Sequence, residues 1–318
     1  MEMEYRDLGR TELRVSRLCF GSLTLSPLQA NLGLKEGAGL IVAAMERGVN
    51  FLDTAELYDN YRYIKEAMRG RPRDSLIIAT KTYAYSREMA RESLEKALRE
   101  TGLHYIDIFM LHEQESALTL KGHREAIEYF LQAKEKGYIR AFGVSTHHVE
   151  CVRAAALLEE IQVIHPIINI KGLGIADGSV EDMLAAIGLA HDRGKGIYAM
   201  KPLGGGNLIG NYRECFDFVL GIPHISSIAV GMQCIEELET DIAIFENRPV
   251  DPKVGAVLST RRRSLIIEPW CEGCGDCVLA CGQGALYLKD GKACVRQEMC
   301  ILCGYCAAKC KNFYIKVV

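Results

Sequence analysis

The chain has 318 residues, 49% of them hydrophobic and 25% charged, with a formal net charge of −3. That composition is ordinary for a globular protein, and the charge balance argues against nucleic-acid binding as its main task. No apolar run approaches the ~20 residues a membrane helix needs. Thirteen cysteines come after an opening, Met1-Glu2-Met3-Glu4-Tyr5-Arg6-Asp7, that lacks an apolar signal segment, which places the protein in a reducing cytoplasm.

The segment from Tyr5 to Ser16, turning at Gly9-Arg10-Thr11, reads as a hairpin plugging the floor of a barrel. Strands are predicted at 18–21, 50–53, 75–80, 106–111, 141–145, 163–169, 196–200 and 227–231. Helices are predicted between and after them, at 35–47, 61–68, 87–100, 124–135, 148–158, 180–191, 212–220 and 235–245. The helix at 87–100 is typical: Met89, Leu94, Ala97 and Leu98 mark one face, Ser86 caps it and Gly102 stops it. Runs that are apolar throughout, such as Leu76-Ile77-Ile78-Ala79, suit a parallel sheet buried on both faces. Strict alternation with eight strands predicts a (β/α)8 TIM barrel over residues 1–247, with the hairpin at its N-terminus.

Residues 248–262 break the pattern. Pro249 and Pro252 punctuate a linker that runs into Arg261-Arg262-Arg263, a basic triplet read as a solvated or interface face. Residues 263–318 form a second, small α+β domain carrying two cysteine runs. Cys271, Cys274, Cys277 and Cys281 have the spacing C-x2-C-x2-C-x3-C, and Cys300, Cys303, Cys306 and Cys310 repeat it. A zinc tetrahedron takes two C-x2-C pairs or Cys/His mixtures, whereas a tight loop with a cysteine at every third position aims three thiolates at one cubane. In two-cluster proteins the fourth ligand is the last cysteine of the other run. Two [4Fe–4S] clusters are therefore expected, one on Cys271, Cys274, Cys277 and Cys310, the other on Cys300, Cys303, Cys306 and Cys281. The segment resembles bacterial two-cluster ferredoxins over its whole length, departing where Gly282 and Lys311 replace the proline that often ends each run.

In a (β/α)8 barrel the reacting groups sit at the C-terminal ends of the strands. Asp53 closes the second predicted strand, Lys81 the third and His112 the fourth, while Tyr58 lies five residues past Asp53. A phenol near pKa 10 is a poor acid at neutral pH. A lysine beside it would lower that pKa, an aspartate would fix the lysine, and a histidine would orient a carbonyl oxygen.

The sequence here resembles the aldo-keto reductase superfamily over about residues 4–247. The resemblance rests on Tyr5-Arg6-x-Leu8-Gly9-x-Thr11, Asp53-Thr54-Ala55-x-x-Tyr58, Thr80-Lys81, Leu111-His112, Gly143-Val144-Ser145 and Pro202-Leu203-Gly204. It implies that Tyr58 is the proton donor, Lys81 its pKa modulator, Asp53 the lysine's partner and His112 the carbonyl orienter. It also implies a nicotinamide site. The carboxamide-holding positions fall on Ser145 and Thr146, with His165 and Asn169 in the sixth-strand region. The ring-stacking segment falls on Met200, Lys201, Leu203 and Gly204, and the 2′-phosphate clamp of NADP-selective members on Gly231 and Glu237. A carboxylate repels a phosphate and accepts from a ribose diol, so NAD(P)H is implied, with NADH preferred. The expected activity is reduction of a small carbonyl substrate, with the clusters serving electron transfer, docking or stability. Two alternatives stand beside it. In one, a flavin or a redox partner protein couples the clusters to the barrel. In the other, an electron-transfer protein uses the barrel as a non-catalytic scaffold.

Overall fold

The computed structural model describes residues 2–251, 254, 263–312 and 314–317. The predicted hairpin pairs β1 (Tyr5–Asp7) with β2 (Arg14–Ser16). The barrel strands are β3 (Leu18–Gly21), β4 (Phe51–Asp53), β5 (Ile77–Thr82), β6 (Ile106–Leu111), β7 (Ile139–Thr146), β8 (Val163–Pro166), β9 (Gly196–Met200) and β10 (Ser227–Gly231). All eight are parallel, and β10 closes back onto β3. Every residue of β5 and β6 is buried, as a sheet with helices outside and side chains inside requires.

Two layers of apolar packing result from that geometry. The larger lies between the strands and the surrounding helices. The inner one fills the barrel, where Leu8, Leu13 and Val15 of the hairpin segment pack on Phe51, Ile77, Met110 and Tyr198. The hairpin is thus the floor plug its sequence predicts. Its turn needs Gly9, at φ +57°, because a side chain there would overlap the backbone of Gly196.

The helix at Arg87–Thr101 starts where Ser86 accepts a hydrogen bond from Met89 N and ends at Gly102 in the left-handed conformation. Other boundaries differ from expectation. The strand expected at 75–80 begins later, because residues 73–75 form a 3-10 turn, and it runs through Lys81 to Thr82. The strand expected at 163–169 stops at Pro166, leaving Asn169 in the following turn. The rim loop at 113–123 contains a helix, Ala117–Gly122, that the sequence reading missed; a reciprocal Ser116–Thr119 capping box starts it.

Most of the linker, residues 252–253 and 255–262, lies outside the described residues. Beyond it, β11 (Leu265–Ile267) pairs with β14 (Ile315–Val317), and β12 (Leu286–Lys289) pairs with β13 (Lys292–Val295). Two short helices, Asp276–Leu279 and Tyr305–Lys309, each come after a glycine in the left-handed conformation, Gly275 or Gly304. Residues 300–305 of this C-terminal segment sit on the barrel's C-terminal rim. Gln29 Nε2 donates to Leu302 O at 3.0 Å and Asn207 Nδ2 donates to Cys300 O at 2.6 Å. A side chain at Gly205 would overlap Ile301 O, and one at Gly304 would overlap Leu28 O. Arg263, the described member of the basic triplet, is not solvated: it pairs with Glu237 at 3.1 Å, both side chains 12% exposed.

Candidate active site

The C-terminal ends of β4, β5 and β6 bring Asp53, Lys81 and His112 together, and a 3-10 turn, Glu56–Tyr58, swings Tyr58 back over them. All four side chains are buried and line one cavity. The lysine sits 2.7 and 2.8 Å from the two Asp53 carboxylate oxygens and 2.7 Å from Thr54 O, so all three of its N–H groups are engaged. Tyr198 donates to the same carboxylate at 2.8 Å. Sequence reading missed Tyr198, although its position in a strand pointing into the barrel was the available signal.

Burial lowers the Lys81 pKa, with Asp53 acting against it. Lys81 Nζ lies 5.3 Å from the Tyr58 ring centroid. The sequence argument has the lysine lower the phenol's pKa; the net direction in the chain is the reverse. Desolvation first and Asp53 second raise it well above its ordinary value, and contact with the Tyr305 hydroxyl opposes them. Tyr58 is accordingly a protonated phenol, the state a proton donor needs. His112 is neutral, its pKa held well below the usual range by burial and then by Lys81. Its ring stacks on Tyr83, 4.6 Å between centroids, and its Nε2 lies 3.3 Å from the Tyr305 hydroxyl. His112 Nδ1 is buried with no partner, so Nε2 is the ring nitrogen in contact with a hydroxyl of the cavity.

The same cavity extends past the tetrad. His165, Met200, Lys201, Leu203, Gly231 and Glu237 line it, all positions implied for a nicotinamide cofactor. Ser145, Thr146, Asn169 and Gly204 do not. Ser145 Oγ instead accepts from Glu113 N, and Thr146 donates to Gln114 O. Asn169 holds the turn before Leu173. Glu237, expected to meet a ribose, is already engaged by Arg263 and by Gln233 N at 2.7 Å. At that end Thr240 Oγ1 is buried with no partner, a polar group a ligand could satisfy. His165 is pushed down to about 4, by burial first with Asp53 opposing. Lys201, in the left-handed conformation, hydrogen-bonds His147 Nε2 at 3.0 Å.

The C-terminal segment supplies part of this cavity's wall: Arg263, Ile301, Leu302, Cys303 and Tyr305. No spacing or composition signal marked that contact. Behind the wall is a second cavity of about 380 Å³, lined by Cys281, Cys300, Cys303 and Cys306, the four thiols expected to share one cluster. Burial first, and then Cys303, Cys300, Cys281 and, least, Cys277, push the Cys306 thiol pKa up. Burial first, and then Cys271, Cys274 and, least, Cys310, push the Cys277 thiol pKa up. None of the thirteen cysteines is paired in a disulfide. Among the described residues no three His, Cys, Asp or Glu side chains converge on a single ion. A cubane spreads its four thiolates around four irons and so sets them wider than one ion does.

The aldo/keto reductase family matches residues 17–248. The chain belongs to that family. As an aldo/keto reductase family member it is an oxidoreductase. It is 32% identical over 184 residues to an aldo-keto reductase from Mycolicibacterium paratuberculosis, covering 57% of this chain and 61% of that one. It is 25% identical over 285 residues to L-galactose dehydrogenase from Arabidopsis thaliana, covering 76% and 88%. A solved aldo-keto reductase from Bacillus halodurans shares its fold, with a TM-score of 0.66 at 21% identity, over 81% of this chain and 95% of that one. No described helix is long and apolar enough to cross a membrane.

Proposed function

We propose that this oxidoreductase reduces a small carbonyl compound, with Tyr58 as proton donor and with nicotinamide, NADH preferred, as reductant. We place the reaction in the cytoplasm. The observation that carries the reading is the buried convergence of Asp53, Lys81, Tyr58 and His112 on one cavity. The C-terminal segment is, in this reading, a ferredoxin-like domain with two [4Fe–4S] clusters on Cys271, Cys274, Cys277, Cys310 and on Cys300, Cys303, Cys306, Cys281. The grouping of thiols in the two sets, and the room around the second set, support it. When bound, the nicotinamide supplies hydride and the clusters supply or accept single electrons.

The protein's own residues divide the remaining work. Neutral His112 offers an Nε2–H to the carbonyl oxygen and sets its direction. Protonated Tyr58 gives its phenolic proton to that oxygen as negative charge develops there. The Lys81 ammonium, locked by Asp53 and Thr54 O, stands near the phenol and stabilises the phenolate left behind. His165, Met200, Lys201, Leu203, Gly231 and Glu237 line the groove that would hold the dinucleotide, and Thr240 offers it an unpaired hydroxyl. A redox partner protein would exchange electrons with the clusters.

The test is anaerobic purification, iron and acid-labile sulfide analysis, and NADH oxidation with a panel of aldehydes and ketones. Tyr58→Phe is expected to lower kcat by about 10²- to 10⁴-fold at unchanged iron content. A fully loaded parent protein that oxidises NADH with no carbonyl on the panel, or that releases flavin, would end the proposal.

A further inference from the structure

Tyr305 stands between Cys303 and Cys306, in a helix too short to fix its side chain by itself, Tyr305–Lys309. Its ring leaves the C-terminal segment and packs on the barrel, against Leu28, Ala55 and Tyr58. Its hydroxyl lies 3.3 Å from His112 Nε2, and it is near enough to Tyr58 to work against the rise in that phenol's pKa. The His112 and Tyr305 rings meet edge to face, 6.1 Å between centroids. The Tyr305 oxygen thus occupies the ring nitrogen that must meet the substrate's carbonyl oxygen if His112 is the orienting group, and it does so in the cavity that Tyr58 lines.

A neutral imidazole has one N–H and a phenol has one O–H. Neither can serve Tyr305 and a carbonyl fully at the same time. We infer that the Tyr305 hydroxyl is a built-in stand-in for the carbonyl oxygen, and that it makes the C-terminal segment the determinant of which carbonyl compounds enter the barrel. The inference rests on the reading of Tyr58 and His112 given above. A substrate must displace the phenol, so a carbonyl compound with few other contacts binds poorly, and one whose remaining groups grip the pocket wall binds well. The anchors of Tyr305 make the phenol a held group and not a loose one: Leu302 is tied to Gln29, Cys300 to Asn207, and Gly304 abuts Leu28 O.

The test uses cluster-loaded protein with NADH bound, comparing the parent chain with Tyr305→Phe and Tyr305→Ala. Visible absorbance and iron content check that both variants hold their clusters. Tyr305→Phe keeps the ring and removes the competing oxygen, so it serves even if Tyr305→Ala fails to load. Isobutyramide, a carbonyl compound that cannot be reduced in the assay, is the binding probe, read by calorimetry; 4-nitrobenzaldehyde is the turnover probe. One neutral hydrogen bond given up on entry corresponds to about 2- to 10-fold in affinity. Isobutyramide is therefore expected to bind about 2- to 10-fold tighter to Tyr305→Phe, and the KM for 4-nitrobenzaldehyde to fall by a similar factor. Unchanged or weaker isobutyramide binding by a loaded Tyr305→Phe protein overturns the inference. So does a fall in kcat at constant KM, which would make Tyr305 a donor to the substrate and not its competitor. Failure of the proposed activity is recognised separately, by Tyr58→Phe leaving carbonyl reduction intact, while the isobutyramide titration needs no turnover.

Discussion

Replacing Asp53 by asparagine tests the electrostatic centre of the barrel. Lys81 is 1% exposed and its ammonium spends two N–H groups on Asp53 and the third on Thr54 O. The amide in Asp53→Asn keeps one acceptor oxygen but removes the counter-charge, and Tyr198 then competes for that oxygen. Breaking a buried ion pair from one side costs about 3–5 kcal/mol. For a domain of this size that is a fall in Tm of about 6–20 °C. The pH dependence has a definite sign. Burial already lowers the Lys81 pKa, and losing Asp53, which opposes that shift, lowers it further. The unfolded chain then binds a proton on Lys81 that the folded variant gives up, so the variant gains stability as pH rises toward the ordinary lysine value near 10.4. Anaerobic thermal and urea unfolding, followed by circular dichroism at pH 7 and pH 9, measures both effects. A loss below about 1 kcal/mol, or a deficit that grows with pH, would refute the argument that this pair is dry and mutually dependent.

Gly205→Ala is expected to unseat residues 300–305 from the barrel rim. The added methyl overlaps Ile301 O, and the backbone at φ +72° disfavours any side chain. A destabilisation of about 2 kcal/mol or more in urea unfolding, seen by cluster absorbance before barrel dichroism, is the expected readout; a loss under about 0.5 kcal/mol would contradict it. Cys281→Ser tests Cys281 as a cluster ligand. Iron should fall from about eight to about four per chain while sulfide falls in step, and an iron content close to the parent's would count against it.

The barrel was legible because its signals are repetitive and local. Eight apolar runs, a capped helix such as Arg87–Thr101 and a hairpin with an obligatory glycine each state their own structure. The tetrad was legible for a similar reason: the ends of consecutive strands must share one rim, so Asp53, Lys81 and His112 meet whatever the loops do. The sign of the Tyr58 shift was not legible, because it depends on how completely burial excludes water from the phenol, and part of the surrounding wall, Tyr305 included, comes from some 250 residues away in the sequence. The Ala117–Gly122 helix escaped because it is a single capped turn and a half, too short to show periodicity. Glu237 illustrates the same limit: its charge was visible, but its pairing with Arg263 arises only when the C-terminal segment folds back.

Ile301 to Tyr305 are translated some seventy residues after Gly231 completes the last barrel strand. A nascent cylinder therefore emerges with its reactive end uncovered and acquires its roof only when the later segment folds. Whatever governs that later step also sets the moment at which the tetrad is shut off from water.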